Sequence, residues 1–334
     1  GPRRRRDNVP GLRRAAPSGG GPVTRLHRVA LALFACAAVA GASAQQRLEV
    51  LPVQGNVSMI VGPGGNTAVQ IGPEGPLVVD AQPGALSGAV LDAIRSLTAQ
   101  PIRHIVLTSG DDQSAGGAGA LSKAGRYVRV IDSIDPRGSD TRASIIAHLN
   151  VLNRMNAAKA PTDIWPTDTY FTPQWTLFSN GEAVRFIHVP AGHTDGDTMV
   201  FFRRSDVIAS GPIFDTTAYP RFDLDRGGSI AGVLDALNRV VEIAVSGESQ
   251  QGGTVIVPGR GRLSDQTEVA NYRDMVTIIR DRVREHTDKG HSLEEVKRAK
   301  LTRDYDGLFD AQTDGWNGER FVEAIYRDLR RRTR

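Results

Sequence analysis

Short apolar runs bounded by glycine and proline dominate the chain from residue 48 onward. Residues 48–60, 66–71 and 76–80 are rich in Val, Leu and Ile, and they predict a β-meander. Residues 86–97 carry apolar side chains at 86, 90, 94 and 97 instead, which is the spacing of a helix face. Residues 102–107 form another apolar, β-branched run, which predicts a buried strand.

In the middle of the chain, the regular spacing of apolar residues gives way to an irregular one. Residues 127–131 predict a strand, and residues 141–158 predict a helix. The apolar face of that helix comprises Ile145, Leu149, Leu152 and Met155. His148 lies beside this face, and we expect it to be a hydrogen-bonded, half-buried histidine rather than a metal ligand.

Residues 161–173 are rich in Pro, Thr and aromatic side chains and show no periodicity, so they predict a loop. We expect this loop to lie across the mouth of the functional site that is described below for residues 109–114. Its aromatic side chains, together with one that follows it, either line a pocket for an apolar ligand or anchor the loop on the core. These residues are Trp165, Tyr170, Phe171 and Trp175.

The remaining half of the chain repeats the order of strands followed by helices. An Asn180-Gly181 turn predicts a hairpin over residues 175–187. Further strands are predicted at 200–202, 207–209 and 254–257, and helices at 228–245, 265–284, 292 onward and 321–329. Two halves that each run strands and then helices predict an α/β protein of the four-layer αββα type, with two sheets face to face and helices outside.

Polar residues fill the turn between the strand at 102–107 and the Gly116-Gly117 pair. Such a turn lies at the carboxyl edge of a sheet, where α/β proteins place their chemistry. In order, its residues are Ser109, Gly110, Asp111, Asp112, Gln113 and Ser114.

This frame resembles the metallo-β-lactamase superfamily, which carries His-x-His-x-Asp-His here, followed by one residue and Gly-Gly. All three histidines and the aspartate of that motif are replaced in residues 109–114. A second stretch, residues 192–197, is similar to the family's Gly-His-Thr-x-Gly-Asp motif and contains His193. The resemblance covers residues 48–286 and implies the αββα fold, with residues 45–286 as one domain and 287–334 as a C-terminal helical extension.

The resemblance also implies where a pair of zinc ions would be held. The first ion's ligands would be Ser109, Asp111 and His193, of which Ser109 is a poor ligand. The second ion's ligands would be Gln113, Ser114, Pro212 and Arg260, and none of these suits zinc. We therefore expect no second metal, at most one weak zinc site at Asp111 and His193, and no other cofactor.

Several roles remain open for the polar residues of this region. Arg260 is expected to take the space of the lost metal, pairing with Asp111 or Asp112 or clamping a ligand's carboxylate or phosphate. Ser114 is expected to cap the following helix. Asp111 and Asp112 as an acid/base pair are an alternative. Asp80 is expected to bond backbone amides, and Asp215 and Asp223 flank a loop beside the site.

The basic character of the chain is confined to its start. Residues 1–44 contain eight Arg and one acid and carry +7, so the rest carries 4 − 7 = −3. A basic segment, the apolar run 29–42 and Ala42-Ser-Ala44 predict a secretory signal at residues 23–44, cleaved near Ala44. We therefore expect a secreted or periplasmic protein with no stable membrane insertion after cleavage and no binding of nucleic acid.

Two details of the leader have alternatives. Residues 1–22 are an Arg-rich leader, but Val23 also fits an internal start codon, in which case they are not translated. Cys36, the only cysteine, lies within the apolar run, so the cleaved chain has no disulfide. Attachment of a lipid at Cys36 is the alternative to simple cleavage.

Three function classes follow from the altered metal motif. The sequence favours a non-hydrolytic pseudoenzyme that binds a small molecule, with an anionic ligand suggested by Arg260. The alternative is a hydrolase with an atypical or single-metal site, for which the resemblance implies an ester, lactone or lactam substrate. The third class is an interaction protein that uses its C-terminal helices.

Overall fold

The computed structural model describes residues 48–126, 141–250, 252–310 and 315–332. The predicted signal segment, Cys36 and the predicted strand at 127–131 lie outside these residues. Residues 46–334 form a single compact unit.

Among the described residues, the first sheet contains seven strands in sequential order. Strands β1 to β4 pair antiparallel, which confirms the predicted meander, and β4 to β7 pair parallel. The strands are β1 (Glu49–Gln54), β2 (Val57–Gly62), β3 (Gly65–Gln70), β4 (Leu77–Val79), β5 (His104–Val106), β6 (Ser144–His148) and β7 (Asp168–Tyr170).

The described part of the chain gives the second sheet five strands, in the order β12-β11-β10-β9-β8. These strands are β8 (Gln174–Ser179), β9 (Glu182–Val189), β10 (Asp197–Phe202), β11 (Val207–Asp215) and β12 (Val255–Arg260). The β8–β9 hairpin turns at Asn180 and Gly181, which both adopt positive φ, as the sequence predicts. Only β11 and β12 run parallel, so their carboxyl ends meet at one edge.

Helices cover the outer face of each sheet. Against the first sheet lie α1 (Ser87–Leu97), α2 (Asp112–Ala115), α3 (Ala118–Ala124) and α4 (Leu149–Ala157). Against the second lie α5 (Ile230–Ile243), α6 (Gln266–Asp288), α7 (Leu293–Arg298), α8 (Asp306–Phe309) and α9 (Gly318–Arg332). A third apolar core joins the inner faces of the sheets, with Met59 and Val106 on one side and Phe186 and Phe202 on the other. The chain therefore has the predicted αββα layers.

The helix predicted over residues 141–158 is wrong in its first half. Ser144–His148 is strand β6, and the helix begins only at Leu149. Ile145 packs in the outer core and Ile146 in the inner core, because a central parallel strand is buried on both faces and presents a continuous apolar run.

His148 ends β6 and is buried. Its Nδ1 accepts a hydrogen bond from the amide of Asn150 at 3.3 Å, and its ring stacks on His188 with centroids 3.5 Å apart. Burial, followed by the neighbouring His188, lowers the pKa of His148 to about 4. The residue is the hydrogen-bonded histidine that the sequence indicated, although it is more deeply buried than half.

The helices after residue 290 belong to the same apolar core as α5 and α6. Val296 of α7 and Phe321 and Ile325 of α9 are fully buried in the same core as Tyr272 of α6. None of the helices in the described part of the chain is both long enough and apolar enough to cross a membrane.

Candidate functional site

The turn after β5 is held in place from the neighbouring strand. Asp80, which follows β4 with φ of 64°, accepts the backbone N–H of Thr108 at 2.8 Å and its hydroxyl at 2.6 Å. Asp80 therefore accepts a backbone amide, as expected. The amide belongs to the turn after β5 and not to the turn after β4, where Asp80 itself lies. The bonds place residues 109–114 at the carboxyl edge of the first sheet.

A second turn brings His193 to the same edge. The fully buried carboxylate of Asp197 accepts the amide and hydroxyl of Thr194 at 2.8 and 2.7 Å, which fixes the turn between β9 and β10. Nε2 of His193 then lies 3.2 Å from Oδ2 of Asp111, and Nδ1 lies 3.8 Å from Oδ1 of Asp197. Burial alone lowers the pKa of His193, but Asp197 and Asp111 outweigh burial and raise it. The imidazole is thus set between two carboxylates.

Arg226 adds a cation to the contact between His193 and Asp111, and the sequence alone does not predict it. Its Nη1 contacts Oδ1 of Asp111 in a short ion pair, and its Nε donates to Oδ2 of Asp223 at 2.8 Å. Asp223 also caps the 3-10 helix Leu224–Arg226 by accepting the amides of Asp225 and Arg226. Burial raises the pKa of Asp223, but these hydrogen bonds outweigh burial and lower it. Acidic and basic side chains therefore alternate from Asp197 through His193, Asp111 and Arg226 to Asp223.

Arg260 does not make the ion pair expected of it. Its Nη2 donates to Oε1 of Gln113 at 3.3 Å, while Arg226 takes the place beside Asp111. Gln113 in turn donates to the carbonyl of Gly259 at 3.3 Å. Arg260 extends the end of β12 next to Asp215 of β11, because the two parallel strands finish side by side.

Two further expectations for the turn need correction. Ser114 caps no helix: it is the buried third residue of α2, and its hydroxyl lies 3.2 Å from that of Thr108. Asp112 is exposed, whereas Asp111 is engaged by Arg226 and His193, so the two carboxylates have different environments. Ser109 is buried and bonds the amide of Asp111 at 3.2 Å.

All the site residues singled out from the sequence line one cavity of about 930 Å³. They are Ser109, Asp111, Asp112, Gln113, Ser114, His193, Pro212 and Arg260. The opposite wall is formed by residues 218–226 and by one face of α9, including Trp316 just before the helix and Arg320 within it. A cavity of this volume accommodates an ordinary small molecule.

The prediction that residues 161–173 cover the mouth is wrong, since none of their aromatic side chains lines the cavity. Trp165 packs on the outer core and Tyr170 on the inner core, so both act as anchors. Phe171 is 77% exposed and Trp175 38% exposed, away from the cavity. Residues 218–226 and α9 form the cavity wall that the sequence predicts for residues 161–173.

The zinc centre implied by the resemblance does not fit these side chains. Zinc requires nitrogen, sulfur or carboxylate donors at ~2.0–2.3 Å. Of the seven implied positions only Asp111 and His193 offer such donors, and a guanidinium already contacts Asp111. No group of three or more His, Cys, Asp or Glu side chains suited to a metal ion occurs among residues 48–126, 141–250, 252–310 and 315–332.

Comparison with known proteins finds neighbours by structure alone. No family model matches the chain, and no curated protein matches it. A metallo-β-lactamase from Pontibacter korlensis aligns at 15% sequence identity and TM-score 0.51, over 69% of this chain and 99% of its own. The DIM-1 metallo-β-lactamase aligns at 15% identity and TM-score 0.50, over 69% and 97%.

The stereoselective inverting sec-alkylsulfatase Pisa1 from Pseudomonas sp. aligns at 13% identity and TM-score 0.63. This alignment covers 84% of the present chain but only 50% of the alkylsulfatase, so the chain spans half the length of that enzyme. Identities this low show a shared fold, and they carry no information about substrate.

Proposed function

The chain has the metallo-β-lactamase fold, and from this premise we propose that it is a non-hydrolytic protein that binds a small anionic molecule in the cavity beside Arg260. The proposal rests on the fold together with side chains at its centre that suit ion pairing better than metal chemistry. A shared fold alone does not license a hydrolase.

The observation that carries the proposal is the incomplete pairing of Arg260. Its guanidinium has five N–H donors and is always charged, yet its side chain makes one hydrogen bond, to the neutral amide of Gln113. No carboxylate lies within 4.0 Å of it in the described part of the chain. A ligand carboxylate, sulfate or phosphate would satisfy the remaining donors in a charge-assisted, bidentate manner.

Nearby acids do not remove this preference. Asp215 is the acid beside Arg260, but Thr217 occupies its Oδ1 through an amide and a hydroxyl, each at 2.7 Å. Burial raises the pKa of Asp215 above its ordinary value, and the hydrogen bonds from Thr217 and the charge of Arg260 oppose that shift. The guanidinium of Arg260 therefore has no direct carboxylate partner in the described part of the chain and keeps donors for an anion in the cavity.

The ion pairs at the centre argue against the fold's hydrolytic chemistry. A metal-assisted hydrolase needs an ion that lowers the pKa of a bound water. The two donors that remain, Asp111 and His193, are bonded to each other, and Asp111 is also bonded to Arg226. An ion bound by either side chain would have to displace these contacts.

Isothermal titration of the cleaved chain, residues 45–334, tests the proposal with phosphate, sulfate, acetate and succinate as probes. We expect saturable binding of at least one anion, weakened about 10- to 100-fold by Arg260→Gln, because a charge-assisted pair is worth ~1.5–3 kcal/mol. Arg262→Gln is the matched control, since Arg262 lies two residues away, pairs with Glu268 and does not line the cavity. Equal affinities for wild type and Arg260→Gln would contradict the proposal.

A second candidate is a hydrolase with a single weak metal, acting on an ester, lactone or lactam. The contact of His193 with Asp111 at 3.2 Å favours it, because these are the two donors such a site would retain. Zinc analysis after dialysis against micromolar zinc separates the candidates. One zinc per chain that disappears in His193→Ala supports the hydrolase, and a zinc-free protein contradicts it.

A further inference from the structure

Arg320, like Arg260, lines the cavity without an acidic partner. The side chain of Arg320 is exposed, and its guanidinium makes no hydrogen bond and no ion pair within the described residues. The next arginine of α9 that reaches the cavity differs, because Arg327 pairs with Glu323. Two guanidiniums with free donors therefore belong to one cavity, one at the end of β12 and one in the first turn of α9.

We propose that the ligand of the cavity is an elongated dianion, held by Arg260 at one end and by Arg320 at the other, with an apolar body between its two acidic groups. The inference rests on the anion-binding function proposed above and specifies the class of its ligand. A straight-chain dicarboxylate is the simplest molecule of this class.

The cavity has room for more than a simple ion. Its volume is about 930 Å³. Small-molecule sites occupy ~300–1,000 Å³, so the cavity lies near the upper end of that range. Arg260 extends from a strand end, whereas Arg320 belongs to the helix that forms the other wall. A small monoanion bound at Arg260 would leave Arg320 and most of this volume unused.

Aromatic side chains line the wall beside Arg320. Tyr219, Phe222 and Trp316 all belong to the cavity lining. The indole Nε1 of Trp316 donates to the carbonyl of Tyr219 at 3.0 Å, and the hydroxyl of Tyr219 donates to Asp306 at 2.9 Å. Because these polar groups are satisfied within the protein, the aromatic side chains offer ring surface to a ligand and not hydrogen bonds. Such a wall suits an apolar ligand body.

The start of α9 is fixed in a way that holds Arg320 at this wall. The side-chain oxygen of Asn317 accepts the backbone N–H of Arg320 at 2.9 Å, and a carboxylate oxygen of Asp310 accepts the amide of Gly318 at 3.1 Å. The next residue, Phe321, is fully buried in the common core. Packing therefore sets the backbone position of Arg320, while its guanidinium keeps all five donors for a ligand.

The acidic side chains close to Arg320 in sequence are engaged by other cations. Glu323 pairs with Lys297 at 2.8 Å and also with Arg327, and Glu319 lies 3.6 Å from Lys297. The hydrogen bond from Lys297 is the main reason that the pKa of Glu323 lies below its ordinary value, and Arg320 makes a smaller contribution. A carboxylate with two cationic partners neutralises little of the charge on Arg320.

The same helix supplies a matched control. Arg330 is exposed on α9 and does not line the cavity. Arg330→Gln therefore removes the same charge from the same helix without altering either wall. Because Arg320 and Arg330 are both exposed, neither substitution is expected to disturb folding, and thermal melting of both variants checks this.

The test is isothermal titration of residues 45–334 with succinate, adipate and suberate, each compared with the monocarboxylate of equal length, butyrate, hexanoate or octanoate. We expect wild type to bind at least one dicarboxylate about 10-fold or more tighter than its matched monocarboxylate, because a second charge-assisted pair forms. In Arg320→Gln the two molecules should bind with equal affinity. Arg260→Gln should weaken binding of both, and Arg330→Gln should behave as wild type.

Three results would overturn the inference. An advantage of the dicarboxylate that survives Arg320→Gln would assign the second carboxylate to another group. An equal loss of that advantage in Arg330→Gln would make it an effect of net charge. Equal binding of both series by wild type would show that one acidic group suffices, and the anion-binding function would stand as long as Arg260→Gln weakens that binding. A wild-type protein that binds no anion at all would refute the function and the inference together.

Discussion

At the scale of single residues, Asp80 shows how the site depends on a buried carboxylate. Burial raises the pKa of Asp80 from 3.8 to about 6, even though the hydroxyl and amide of Thr108 oppose the shift. The same residue adopts φ of 64°, a conformation that Asn and Asp tolerate better than most side chains. Asn at this position therefore keeps the backbone and removes the charge, while its NH2 group replaces one of the two acceptor oxygens that Thr108 uses.

The raised pKa of Asp80 predicts a loss of stability with rising pH. A folded-state pKa above the unfolded value means that the folded protein binds the proton more tightly, so this contribution is present below pH 3.8 and is lost as pH rises through about 6. Between pH 4 and pH 7, the unfolding free energy of wild type should fall by about 2 kcal/mol relative to Asp80→Asn. Urea unfolding of both proteins at each pH measures the difference, and a constant difference would refute the assignment.

At the scale of elements, α9 serves both the core and the cavity. One face places Phe321, Val322 and Ile325 in the core beneath the second sheet, and another lines the cavity through Arg320, Arg327 and Arg331. The ring of Phe321 stacks on Tyr219, with centroids 5.2 Å apart and planes 12° apart. Tyr219 itself belongs to the cavity wall, so packing of α9 determines the position of that wall.

Truncation of Phe321 should therefore destabilise the whole chain rather than free a separate extension. Its side chain is fully buried, and Phe321→Ala is expected to cost about 3–5 kcal/mol in urea unfolding. Leu308→Ala is the control, because Leu308 is 72% exposed and its truncation should change stability by less than about 0.5 kcal/mol. Similar small effects for both variants would indicate that α9 contributes little to the common core.

At the scale of the whole molecule, charge separates the leader from the remainder. The complete chain has a net charge of +4 and an isoelectric point near 9.4. Residues 45–334 carry 4 − 7 = −3 on the same count, because the first 44 residues carry +7. The proposed attraction of an anion would therefore be a local property of the cavity arginines, unaided by the overall charge.

Secretion with cleavage near Ala44 remains a proposal, and the charge difference offers a direct check. The exported protein should begin at Gln45 and focus below pH 7, instead of near pH 9.4. Intact-mass measurement of protein recovered from the periplasmic fraction and the medium identifies the terminus. A lipid-modified chain beginning at Cys36 would replace simple cleavage by lipid attachment, and an uncleaved chain would refute the signal.

The sequence by itself determined the layers of the fold and the small number of zinc-binding side chains at the seven implied ligand positions. Periodicity separated most helices from strands, and Asn180-Gly181 specified a hairpin because both positions need positive φ. The sequence also determines which side chains can bind zinc, because this ability depends on residue type. Pro212 and Arg260 cannot be zinc ligands in any fold.

Only the tertiary structure decided which partners meet. Arg226 and Asp111 are 115 residues apart, and no local pattern relates them, so the sequence assigned the cation to Arg260 instead. The sequence predicts a helix where strand β6 lies. A strand buried on both faces lacks the alternation of apolar and polar residues that identifies a half-buried strand. The wall of the cavity likewise depends on α9 and residues 218–226 folding back over the strand ends, which is a matter of long-range packing.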